Sequence, residues 1–129
     1  MAGQLEIDIR RAGAVTVLTL HGRLVADEAD YLFTQHVDAL VADARVNIVA
    51  DFHGVLSIDS GGVGSLVAKL LSARRAGGDL RLASMSERTR RVLEITRLLN
   101  VFHVFESVEA AVRSFTAEVP RLPAGIAGT

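Results

Sequence analysis

"VLSIDSGGVGSLVAKLLSARRAGG", Val55–Gly78, holds the change of period that decides the fold. An apolar run ends at Asp59 and Ser60, and Gly61, Gly62 and Gly64 follow. From Val63 the apolar residues are Val63, Leu66, Val67, Leu70 and Leu71. That spacing fits one face of a helix at about 3.6 residues per turn. Gly77-Gly78 supplies its stop. Upstream, "VNIVADF" (Val46–Phe52) has strand length and β-branched residues, which predicts a central strand covered on both faces. Downstream, "DLRLAS" (Asp79–Ser84) reads as another strand.

The chain before this unit begins with Leu5, Ile7 and Ile9 alternating with Glu6, Asp8 and Arg10, the pattern of a half-buried strand. Arg11–Ala14 reads as a turn, and Val15, Val17, Leu18 and Leu20 as a second strand ending at His21-Gly22. The two predict an antiparallel hairpin. From Asp27 to Ala44 the pattern is helical, with Phe33, Val37, Leu40, Val41 and Ala44 on one stripe and Asp27 as its cap. After Ser84, Ser86 is placed to cap a helix running to about Leu99, with Thr89, Val92, Ile95 and Leu99 inward. Val101–Phe105 predicts a last strand, and Ser107 caps a helix whose Val108, Ala111, Val112 and Phe115 share a face. Residues 117–129 hold both prolines and read as a flexible tail. The order ββαβαβαβα implies an α/β fold: one mixed sheet, opened by an antiparallel hairpin, with helices packed against it. The expected division is a single domain over 1–116 and a tail over 117–129.

Composition narrows the function. The chain has 129 residues, enough for one domain with a buried core, and 50% of them are hydrophobic. A formal net charge of −1 gives no electrostatic reason to expect a nucleic-acid or membrane-surface partner. With no cysteine there is no disulfide framework, thiolate metal site or cysteine nucleophile. No apolar run approaches the roughly 20 residues that span a bilayer. "MAGQLEIDIRR" carries acids early and has no apolar core of a signal peptide. A soluble, cytoplasmic protein is expected.

Four chemistries compete for the Asp-Ser-Gly junction. A phosphate-cradling loop needs a lysine followed by Ser or Thr at the helix start, but the first lysine is Lys69. A dinucleotide fingerprint needs a third glycine where Val67 stands. A nucleophile elbow needs glycine two residues before the serine, where Ser60 has Ile58. It also needs a histidine base from among His21, His36, His53 and His103. No histidine pair has metal-ligand spacing, so no metal or cofactor is expected. The plainest reading is structural: Ser60 caps the helix, Asp59 adds a favourable charge at its positive end, and the glycines permit tight packing. Three glycines near a helix start, each costing about 1 kcal/mol inside a helix, are left over. They suggest that something approaches this surface closely, a partner protein being one such thing.

"LHGRL", "VADFHGVLSIDSGGVGSL" and "GGDLRLASMSERTRRVLEITRLLNVFHVFESVEAAV" together resemble the STAS domain family, named for sulfate transporters and anti-sigma-factor antagonists. The likeness spans about residues 5 to 116. It implies an anti-sigma-factor antagonist acting by partner switching. In that mechanism the antagonist binds an anti-sigma factor that is also a serine kinase of the GHKL ATPase type. Phosphorylation at the start of the helix after the third strand breaks the complex, and a serine phosphatase restores it. The resemblance places partner contacts at Asp59, Ser60, Gly61, Gly62, Val63 and Gly64. It assigns no catalytic residue, so the expected protein is not an enzyme.

One departure matters. The family's acceptor hydroxyl stands just before the signature's first glycine, and here that position is Gly61. Three consequences are open: Ser60 is the acceptor one residue out of register, the antagonist is constitutive, or the STAS role never used phosphorylation. Ser57 and Ser65 are neighbouring hydroxyls with a structural reading. The resemblance also allows an accessory subunit of a membrane transport complex, or a scaffold-type signalling protein. A hydrolase at Ser60 requires a histidine within hydrogen-bond reach. Oligomeric state is open, with the edges of the opening hairpin available for pairing.

Overall fold

The structure, a computed structural model, describes residues 4–26 and 28–118, with the side chains of 28–30 and 117–118 left aside. The expected cap at Asp27 and the tail from residue 119 lie outside the described residues. The elements are β1 (Glu6–Ala12), β2 (Val15–Leu24), α1 (Glu28–Ala42), β3 (Asn47–Ile58), α2 (Ser60–Arg75), β4 (Asp79–Ala83), α3 (Glu87–Ile95), β5 (Val104–Phe105) and α4 (Val108–Glu118). Their order is the expected ββαβαβαβα. The strands form one five-stranded sheet in the order β1-β2-β3-β4-β5. The β1–β2 pair is antiparallel, and the other neighbours are parallel. This is a single α/β domain with a mixed sheet.

Side-chain alternation divides the core between the two faces of the sheet. On one face Leu18, Leu20, Ile48, Ala50, Leu80 and Leu82 meet Phe33 and Val37 of α1 and Leu66 and Leu70 of α2. On the other face Val15, Val17, Val49 and Ala83 meet Ala111 and Phe115 of α4. Ile48, Val49 and Ala50 are all fully buried, as a central strand covered on both sides requires. An ion cluster, buried at Asp79 and Arg81 and open to solvent at Arg74, stands at the start of β4. The Asp79 carboxylate accepts from Arg74 Nε at 2.8 Å and Arg81 Nε at 2.9 Å. Arg81 also donates to Ser114 Oγ at 2.7 Å and lies over the Phe115 ring, tying α4 to the sheet.

Several boundaries differ from the sequence reading. β2 and β3 run on to Leu24 and Ile58 because each supplies the other's ladder partners, Gly22 with Val55 and Leu24 with Ile58. α3 stops at Ile95 rather than near Leu99, and a short 3₁₀ turn follows at Leu99–Val101. Arg97 takes φ 63° there, and Leu98 N–H donates to Leu93 O at 2.8 Å, closing the helix without a glycine. Ile95, expected inward, is 73% exposed, and Leu93 is the fully buried residue instead. β5 is two residues long rather than five. Ser86 and Ser107 cap as expected, accepting from Thr89 N and Ala110 N. No helix among the described residues is long and apolar enough to cross a membrane.

Candidate functional site

The junction after β3 is built around one carboxylate. Asp59 has extended backbone (φ −113°, ψ −176°), and its Oδ1 accepts from Gly62 N–H at 2.9 Å. The helix cap is therefore Asp59 and not Ser60, which already belongs to α2. The reason is positional: a cap's side chain must reach back over the first-turn amides from a residue still outside the helix. The same carboxylate accepts from Ala26 N–H at 3.2 and 3.3 Å. One side chain thus closes the helix and pins the β2–α1 connection onto it. Its negative charge at the helix N-terminus is the favoured sign.

The three glycines separate into two kinds. A Cβ at Gly61 would stand 2.1 Å from Ala26 Cβ, and one at Gly62 would stand 2.2 Å from Leu24 O. These two glycines make room for the chain's own Leu24–Ala26 segment, the tight packing that the structural reading of the junction gives them. A Cβ at Gly64 would meet nothing within 4 Å. Of the three, Gly64 is the one inside an exposed helical surface with no packing reason among the described residues.

Of the six residues expected at the site, Asp59, Ser60 and Gly64 are exposed and Gly61 is half-buried. Gly62 and Val63 are buried, Val63 in the core beside Leu66. Ser60 Oγ makes no hydrogen bond among the described residues, whereas Ser57 Oγ is buried without a partner and Ser65 is half-buried. His36 Nδ1 lies 2.9 Å from Leu32 O, and His21 Nε2 lies 3.7 Å from Asp8. Among the described residues no hydrogen bond joins a histidine to Ser60, the contact a serine nucleophile needs. Leu56, 59% exposed, adds apolar surface just before the junction. Ala26 is the site residue that sequence reasoning missed. An alanine after "GRLV" carries no chemical signal, and only the fold brings it to Gly61.

A mixed sheet with this order, flanked by helices on both faces and ending its third strand at a capped glycine-rich helix start, has a family match. The STAS domain model matches residues 6–111, and the chain belongs to that family. A protein of Thermotoga maritima assigned as an anti-sigma-factor antagonist is 27% identical, with a TM-score of 0.78. The match covers 84% of this chain and 92% of that one. The unphosphorylated anti-sigma-factor antagonist SpoIIAA, also solved phosphorylated from Bacillus, shares the fold at 18% identity and a TM-score of 0.75. That match covers 87% of this chain and 97% of SpoIIAA. SLC26A9 carries the same fold at 17% identity and a TM-score of 0.70, with 83% of this chain but only 20% of that one covered.

Proposed function

We propose that this chain is a cytoplasmic anti-sigma-factor antagonist, a binding module rather than an enzyme. Its partner is an anti-sigma factor of the GHKL serine-kinase type, and it works by partner switching. The observation that carries this reading is the likeness, over 92% of its length, to the Thermotoga protein assigned as an antagonist. The SLC26A9 match, at 17% identity, shows the fold alone and covers a fifth of that chain, so no specific feature favours a transport subunit.

The docking surface is the start of α2, around exposed Asp59, Ser60 and Gly64 with Leu56 nearby. Gly64 supports it: a helical glycine costs about 1 kcal/mol against alanine, and open space on its outer side is what close approach by a partner backbone requires. Phosphorylation control, within this reading, acts at Ser60. Gly61 has no hydroxyl, and the Ser57 hydroxyl is buried. A phosphoryl group there adds about −1.5 to −2 charges beside Asp59. Such a charge in the middle of a contact surface repels an acidic partner and loses its hydration against an apolar one, and a serine phosphatase resets the switch.

The test is binding and intact mass with the host's serine-kinase anti-sigma factors and ATP. Wild type, Ser60→Ala and Gly64→Glu are compared. The expected result is a complex lost in Gly64→Glu, and one phosphoryl addition that disappears in Ser60→Ala. A complex without phosphoryl addition leaves an antagonist and removes the switch. No complex with any such kinase overturns the function.

A further inference from the structure

β1 is an edge strand, and among the described residues no strand pairs with its outer side. Which of its backbone groups point outward follows from the hairpin. Gly13 and Ala14 form a two-residue loop closed by the Ala12–Val15 pair. Gly13 has φ 64°, as the first central position of a type II′ turn requires. The closing pair of such a loop exchanges both its hydrogen bonds, and the pattern then alternates along the ladder. Glu6, Asp8, Arg10 and Ala12 therefore spend their amides and carbonyls on β2. Ile7, Ile9 and Arg11 direct theirs outward.

The side chains along this edge are as informative. Ile9 pairs with Leu18 and Ile7 with Leu20, so both isoleucines stand on the sheet face covered by α1 and α2. Ile9 lies beyond that cover and is 51% exposed. Asp8 and Arg10 stand on the opposite face. The Asp8 side chain is 82% exposed, with His21 3.7 Å away, and Arg10 lies at the mouth of a groove with Glu109 and Arg113 of α4.

We propose that the outer edge of β1 is an interface between two copies of this chain, paired antiparallel about a two-fold axis at Ile9. In this register Ile9 stands opposite Ile9 and exchanges both backbone hydrogen bonds with it. Ile7 stands opposite Arg11, and Asp8 opposite Arg10, each pair occurring twice. The two Asp8–Arg10 pairs fall at non-hydrogen-bonded positions, where cross-strand side chains are closest. Moving the axis to Asp8 sets Asp8 against Asp8, and moving it to Arg10 sets Arg10 against Arg10. Like charges directly opposite disfavour both shifts. Charge complementarity thus selects a second copy, in one register, as the occupant. A single strand pair is small beside the roughly 1,200 Å² of a stable interface, so the dimer is weak and concentration-dependent.

Sedimentation of the full chain up to about 1 mM tests this, with charge reversal as the probe. Asp8→Arg alone and Arg10→Asp alone each set like charges opposite one another and weaken self-association at least tenfold. An equimolar mixture of the two variants pairs Arg with Asp at both places, and dimer returns as a heterodimer. The chain has no cysteine of its own, so Ile9→Cys reports the register. Facing residues of a hydrogen-bonded pair lie about 5.5 Å apart at Cα, within disulfide reach, and mild oxidation cross-links Ile9→Cys but not Ile7→Cys. A monomer throughout the concentration range overturns the proposal. So does a dimer indifferent to both charge reversals, or one that appears or vanishes only when residues 119–129 are removed.

Discussion

Substituting alanine for each glycine at the start of α2 separates packing from propensity. In a solvated helix glycine-to-alanine stabilises by up to about 1 kcal/mol, and propensity alone gives the same sign at Gly61, Gly62 and Gly64. The structure gives different signs. At Gly61 the new Cβ would stand 2.1 Å from Ala26 Cβ, where ordinary contact begins at 3.4 Å. The β2–α1 connection must retreat by more than an ångström. That breaks the two contacts of Ala26 N–H with the Asp59 carboxylate, at 3.2 and 3.3 Å. Overpacking of this kind costs about 1–3 kcal/mol, which exceeds the propensity gain, so Gly61→Ala lowers stability. Gly62→Ala costs more, because the obstacle 2.2 Å away is the Leu24 carbonyl, which is backbone inside a strand. Gly64→Ala, with nothing within 4 Å, raises stability by up to about 1 kcal/mol. Urea unfolding at constant m-value reads all three. Adding Ala26→Gly to Gly61→Ala removes the 2.1 Å contact and leaves Ala26 Cα at 3.1 Å. Most of the loss is recovered, with a coupling energy of about 0.5–3 kcal/mol. If Gly61→Ala stabilises as Gly64→Ala does, the two glycines are equivalent and the account of the site is wrong.

Asp59→Ala removes the α2 cap and the anchor of Ala26 together. The expected loss is about 1–2 kcal/mol, with faster amide exchange at Ala26 and Gly62 as the measurement. Asp79→Ala strips the carboxylate from Arg81, which is 4% exposed, and the chain is destabilised by about 3–5 kcal/mol in chemical unfolding. Leu93→Ala costs about 2–5 kcal/mol, whereas Ile95→Ala, at 73% exposure, stays within about 0.5 kcal/mol of wild type. Equal costs at these two positions in thermal or urea melts contradict the end and rotation of α3.

The order of elements, the opening hairpin and the buried faces of β3 and α2 were legible in the sequence. The clearest local periods are two for Leu5–Ile9 and three to four for Val63–Leu71, and local periods survive in any tertiary setting. Helix ends were legible only where a residue type announced them. Gly77, at φ 97°, marks the end of α2 because its left-handed position is filled by a glycine. Ala44 and Arg97 take φ 62° and 63° after α1 and α3 with no such marker, and the end of α3 was accordingly misplaced. The continuations of β2 and β3 to Leu24 and Ile58 depend on ladder partners more than thirty residues away.

The site divides along the same line. Asp59, Ser60 and the glycines are visible as a polar, glycine-rich break between strand and helix, and their resemblance to the STAS signature is a property of sequence order. Which carboxylate caps the helix, and which glycine faces the solvent, are properties of what packs against them. Gly61 and Gly62 are glycines because Leu24–Ala26 passes within a Cβ's reach, and Gly64 is open because no described segment does. A residue's period depends on its neighbours in the chain, but the space around it is set by segments that only the folded sheet brings near.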